Sequence, residues 1–192
     1  MNTFMNWLAD SFVPKSNKIL SKPWISALGS TMQKVIPFIL TGSVIFLYNV
    51  LVSFFPSLPD LGPISDFSFG IISLIVAFTI ANQCMEKLGH PSYMINAGIA
   101  SIGVFLMVAI PIGEDADSIS ALMNHVSASG IAVAMITGLF TSIIFHLWAK
   151  LQFLKDSSIP DFVSTWINTV VPNLISLGVI MIMVKLMEVN VY

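Results

Sequence analysis

The sequence predicts an all-α fold: a polytopic membrane protein with five transmembrane helices and an N-terminal amphipathic interfacial segment. Two observations carry that prediction. Hydrophobic residues make up 56% of the 192-residue chain and charged residues 9%, with a mean hydropathy of +0.88, whereas about a quarter of the residues of a soluble domain are charged. The charges also fall in clusters and leave uncharged stretches at 35–59, 67–85, 88–113, 118–149 and 162–184. A hydrocarbon layer about 30 Å thick needs roughly 20 residues of helix to cross it, and each stretch supplies that length.

Residues 1–33 read as an amphipathic cytoplasmic-side leader. A cleavable signal begins with a basic stretch followed at once by its apolar run, but here Trp7, Leu8, Phe12 and Val13 precede the first lysine, Lys15. A helix from about Asn2 to Phe12, then Pro14, then a helical segment around Asn17 to Met32 would lie along the interface. Trp7, Phe12, Ile19, Leu20 and Trp24 would bury an apolar face while Lys15, Lys18 and Lys22 approach anionic headgroups.

Residues 34–192 then read as a five-helix membrane scaffold, with apolar cores at Val35 to Phe55, Phe67 to Met85, Tyr93 to Ile112, Gly130 to Ala149 and Ile167 to Met187. They lack the strict polar alternation of a barrel strand. A lipid-exposed backbone must also satisfy its own hydrogen bonds, so these runs are helices. Pro56 to Pro63 and Gly89-His90-Pro91 punctuate the first two breaks. The third loop carries Glu114, Asp115 and Asp117; the fourth carries Lys150, Lys155, Asp156 and Asp161. With the N-terminus in the cytoplasm, alternation puts Lys15, Lys18, Lys22, Lys87, Lys150 and Lys155 on that side, as the positive-inside rule requires. The C-terminus then falls outside.

Apart from the terminal Lys185, the five cores hold no Asp, Glu or Lys of the kind that marks a relay or pore. Their polar residues are milder, and His146 in the fourth reads among them. Pro37 and Pro172 read as early positions in their apolar runs, where a helix tolerates proline best. The small residues Ala97, Gly98, Ala100, Ser101 and Gly103 in the third span, and Gly130, Ala134 and Gly138 in the fourth, suit close helix packing. Asn82, Gln83, Asn96 and Asn173 read first as packing amides. A path for a neutral polar solute such as a sugar is the competing reading.

No residue is assigned as catalytic, cofactor-binding or metal-ligating, and no cofactor is called for. His90, His125 and His146 are far apart in sequence, without a second ligand at helical spacing, and read as local polar groups. Cys84 is the only cysteine, which excludes an internal disulfide and a C-x-x-C pair. All eight bases are lysine, and without arginine the chain is a poor partner for nucleic acid. No nucleophile elbow, phosphate loop or membrane carboxylate pair is visible.

Several stretches, in order, resemble the N-terminal half of the phosphotransferase system (PTS) sugar permease (EIIC) component, in the lactose/cellobiose family. Lys18-Ile19-Leu20, Trp24 to Leu28 and Ile36-Pro37-Phe38-Ile39-Leu40-Thr41-Gly42-Ser43 resemble its amphipathic lead and first span. Gly130 to Leu139 is similar to its glycine-led fourth-span run, and Ile159 to Val163 with Trp166 and Val171-Pro172 to its valine-proline stretch. The chain departs from the family at Ser157-Ser158-Ile159 and at His146.

The resemblance implies transport across the bacterial inner (plasma) membrane of a disaccharide such as cellobiose or lactose, with a cytoplasmic phosphocarrier (EIIB) as partner. It implies a homodimer or a separate C-terminal permease half as a further partner. In the family the sugar-binding histidine and glutamate belong to that C-terminal half, so the chain is expected to supply the dimerisation scaffold and to have no catalytic activity alone. A stand-alone oligomeric membrane scaffold or a small polar-solute transporter is the alternative.

Overall fold

The computed structural model describes Trp7 and residues 12–55, 57–109, 123–151 and 160–189. Among these residues every regular element is helical: α1 Val13–Leu20, α2 Pro23–Phe54, α3 Gly62–Ser68, α4 Ile72–Lys87, α5 Met94–Ala109, α6 Ile131–Leu151 and α7 Asp161–Val189. Short 3-10 turns at Phe69–Ile71, Pro91–Tyr93 and Ala128–Gly130 lead into α4, α5 and α6. Five segments are long and apolar enough to cross a membrane: Pro23–Phe54, Gly62–Lys87, Pro91–Ala109, Ala128–Leu151 and Phe162–Leu186. The chain is a multi-pass membrane protein.

The helix that carries the first apolar core begins at Pro23, well before the expected Val35. Lys22 is extended, as the residue before a proline tends to be, and Pro23 opens α2, where its missing N–H goes unneeded. The interfacial helix expected over Asn17 to Met32 is therefore broken at Ser21–Lys22. Its second half is the first three turns of a spanning helix. Ala27 and Thr31 are fully buried, so bundle packing holds turns whose serines, glycine and glutamine conceal them from a hydropathy reading. At 32 residues, α2 is about 48 Å long and overreaches a 30 Å hydrocarbon layer.

The two prolines are also interior, not early. Pro37 stands within α2 and Pro172 within α7, each removing one N–H from the ladder. A hydroxyl one turn on turns back to each proline carbonyl: Thr41 Oγ1 donates to Pro37 O at 3.0 Å and Ser176 Oγ to Pro172 O at 2.7 Å.

Helix α4 is the centre, with α2, α5 and α6 packed around it, and α7 lies outside against α5 and α6. One buried cluster joins Ala27, Ile80, Ala81, Cys84, Met85, Ala97, Ala100 and Phe145; a second joins Val35, Ile72, Val76, Ala77, Phe105, Ala109, Val126 and Ala134. The order of these residues along each helix makes α2, α4, α5 and α6 successively antiparallel. Close approach depends on the small residues. A Cβ on Gly138 would overlap Ile80 Cγ2 and crowd Ala77 O, and one on Gly98 would meet the Phe78 ring at 2.6 Å. Ser101 Oγ donates to Ala77 O at 2.8 Å, tying α5 to α4. Of the segments expected from sequence, Asn2 to Phe12 lies outside the described residues apart from Trp7 and Phe12. The Glu114, Asp115 and Asp117 group and residues 152–159 lie outside them as well.

Candidate functional site

Two polar constellations stand at the end of the bundle where α4 finishes. The first joins α2 to α4. Lys34 Nζ lies 3.6 Å from Glu86 Oε2, and both side chains are about half exposed. Lys34 is rooted beside Val35, which packs with Val76 and Ala77, whereas Glu86 belongs to the last turn of α4. The lysine stem therefore runs along α4 towards its C-terminal end, as a long amphipathic side chain does when its head must leave an apolar layer. Gln83, only 2% exposed, donates through Nε2 to Glu86 Oε2 at 2.7 Å and to Asn82 Oδ1 at 3.3 Å.

The second constellation is built on the end of α4 by backbone geometry. The Gly89 N–H donates to Glu86 O at 3.2 Å and the His90 N–H to Met85 O at 2.9 Å, the paired bonds of a Schellman motif. Its left-handed residue is Gly89, at φ 80°, which a side chain would strain. Pro91 follows and prevents the helix from continuing. This turn holds His90 against α6, where its Nε2 lies 3.0 Å from His146 Nδ1. Trp24, at the start of α2, meets the His146 ring at right angles with centroids 6.0 Å apart. Burial, and then the positive charge of Lys150, hold the His90 imidazole below its usual range.

From sequence the histidines read as separate local groups; the structure pairs two of them and leaves His125 exposed near Gly130. The missed signal was topological. Alternating spans return the α4–α5 turn and the end of α6 to one side of the layer.

The four amides do not form one connected site. Among the described residues no hydrogen bond links Asn96 or Asn173 to the Asn82–Gln83 pair, and the buried Asn173 Oδ1 has no partner. A cavity of about 220 Å³ lies among Gly42, Ser43, Phe46, Ser65 and Phe69. Its Ser43 hydroxyl is engaged by Leu40 O at 2.8 Å. Among the described residues no three His, Cys, Asp or Glu side chains are grouped to hold a metal. Chemically, the arrangement offers an ion pair, a buried amide and a shared proton between imidazoles.

No protein-family model matches the chain, and no solved structure does. It is similar to a Bacillus subtilis (strain 168) protein named as a permease IIC component, YwbA, at 25% identity over 197 positions, covering 91% of this chain and 44% of the relative. The chain thus spans less than half the length of the curated relative it matches.

Proposed function

We propose that the chain supplies the membrane scaffold of a sugar permease of the phosphotransferase system, of the lactose and cellobiose type, with the sugar-contacting residues carried on polypeptide outside this sequence. The observation that carries this reading is the similarity along 91% of the chain to a permease IIC component. Two physical features support it. The helices are packed by small residues, and the cavity among Gly42, Ser43, Phe46, Ser65 and Phe69 has little for a polyhydroxylated solute to bind.

In this reading the N-terminus and the ends bearing Lys87 and Lys150 face the cytoplasm, where the phosphocarrier approaches. Helix α1 lies on the inner leaflet. Its Val13, Ile19 and Leu20, with Phe12 just before it, are each about half exposed. Lys15, Lys18 and Lys22 flank that apolar arc and meet anionic headgroups. The scaffold pairs with a second copy.

The test is reconstitution in proteoliposomes, with the chain alone and with the C-terminal half of a lactose- or cellobiose-type permease. Phosphorylated phosphocarrier and labelled disaccharide are supplied in both cases. Sugar phosphate forms only when both halves are present. Product from this chain alone, or none from the reconstituted pair, overturns the reading.

A further inference from the structure

We infer that His90 and His146 form an acid-opened latch that fastens the α4–α5 turn to α6. The geometry sets what the latch tolerates. Across the 3.0 Å between His90 Nε2 and His146 Nδ1, one nitrogen must carry a hydrogen and the other must offer a lone pair. With no extra proton the pair is a neutral N–H···N bond. With one extra proton it is an imidazolium donating to an imidazole, which is stronger. With two, both nitrogens are donors, no acceptor remains, and like charges face each other with ring centroids 5.1 Å apart.

The surroundings add to that repulsion. Lys150, one helical turn beyond His146 on α6, presses its charge on both rings. Helix α4 ends in Glu86 and Lys87, and the Glu86 carboxylate is already turned to Lys34 and Gln83. Helix α2 presents the uncharged Trp24 ring. On the α5 side Tyr93 lies edge to face with Phe145, an apolar contact that protonation leaves alone. Among the described residues no carboxylate pairs with either imidazole.

The two rings have firm mounts. His146 sits within α6, and His90 is fixed by its backbone bond to Met85 O. Both backbones are thereby held, so the repulsion from a second proton falls on the contact between the turn and α6. It separates His90 from α6, while the Tyr93–Phe145 contact and the packing of Leu88 and Met94 on the cluster that holds Phe145 remain.

Free histidine takes up protons as the pH falls below about 6.5; burial and Lys150 hold His90 lower than that, and opening needs the second proton, so the latch opens on the acid side of that value. The experiment uses the whole chain in lipid nanodiscs with nitroxide labels on Ser92→Cys and Leu147→Cys, both exposed positions; the native Cys84 is fully buried. The label-to-label distance is read by pulsed electron resonance at pH 7.5 and pH 5.0. A single short distance at pH 7.5 gains a longer population at pH 5.0. His146→Gln and His90→Gln each leave an amide that pairs with the remaining ring and can never hold two imidazoliums, so neither gains it. An unchanged distance in the unsubstituted pair, or the same acid response in either glutamine variant, overturns the latch. A variant already open at pH 7.5 overturns it too.

Discussion

The Lys34 ammonium reaches from within α2 to a point 3.6 Å from the Glu86 carboxylate at the end of α4. That carboxylate also takes the 2.7 Å hydrogen bond from nearly buried Gln83. The two contacts differ in worth. A half-exposed ion pair contributes about 0–1 kcal/mol, whereas a buried amide that loses its short charged acceptor and keeps only the 3.3 Å bond to Asn82 Oδ1 forfeits up to about 1–3 kcal/mol.

Glu86→Leu is therefore predicted to destabilise the protein more than Lys34→Met, although the two substitutions break the same ion pair. Unfolding by denaturant in detergent micelles measures both. Equal losses would mean that Asn82 Oδ1 alone satisfies Gln83 and that the pair matters only through charge.

Packing of α6 on α4 sets a second expectation. A side chain at Gly138 overlaps Ile80 Cγ2 and lies 3.2 Å from Ala77 O, so Gly138→Val must move a helix. Overpacking of this kind costs about 1–3 kcal/mol, at times more. Combining Gly138→Val with Ile80→Ala should recover part of the loss through shared space. At Gly178 an added Cβ meets nothing within 4 Å, and Gly178→Ala should be neutral or mildly stabilising, since it favours helix by up to about 1 kcal/mol. A harmless Gly138→Val would show that the α4–α6 contact is looser than described.

The five crossings were legible from sequence because burying charge in hydrocarbon is costly enough to keep Asp, Glu and Lys out of long runs. The start of α2 was not legible. Ser26, Gly29, Ser30 and Gln33 depress hydropathy there, and only the burial of Ala27 and Thr31 against neighbouring helices keeps those turns in the bundle. The prolines were misplaced for the same reason, since an early or interior position depends on where the helix begins. Pairing of His90 with His146 required both the Schellman turn at Gly89 and the side-by-side placement of α4 and α6. Local pattern carries the first, but only packing supplies the second.

The His90 shift carries its own pH dependence. Burial, with Lys150 second, lowers the folded-state value from 6.5. Above the unfolded value near 6.5 both states are neutral at this residue and its contribution is fully present. As pH falls through the folded value the unfolded chain holds more protons, and stability is lost until both states are charged. Thermal unfolding between pH 8 and pH 5 should fall on the acid side, and His90→Gln should flatten that limb. A limb unchanged in the variant would assign the acid sensitivity to other groups.

Asn173 separates packing from passage. Its Oδ1 is buried without a hydrogen-bond partner, one residue after the Pro172 interruption in α7. Such an oxygen costs about 1–3 kcal/mol, and leucine of similar size would remove the unpaired group. If the residue serves only packing, Asn173→Leu should hold or raise the midpoint of unfolding and leave sugar phosphate formation by the reconstituted pair intact. If the carbonyl is kept free for a passing hydroxyl, the same variant should raise stability and abolish transport. The proposed scaffold role argues for the first result. A stabilised but inactive Asn173→Leu would move part of the solute path onto α7 and require the scaffold role to be revised.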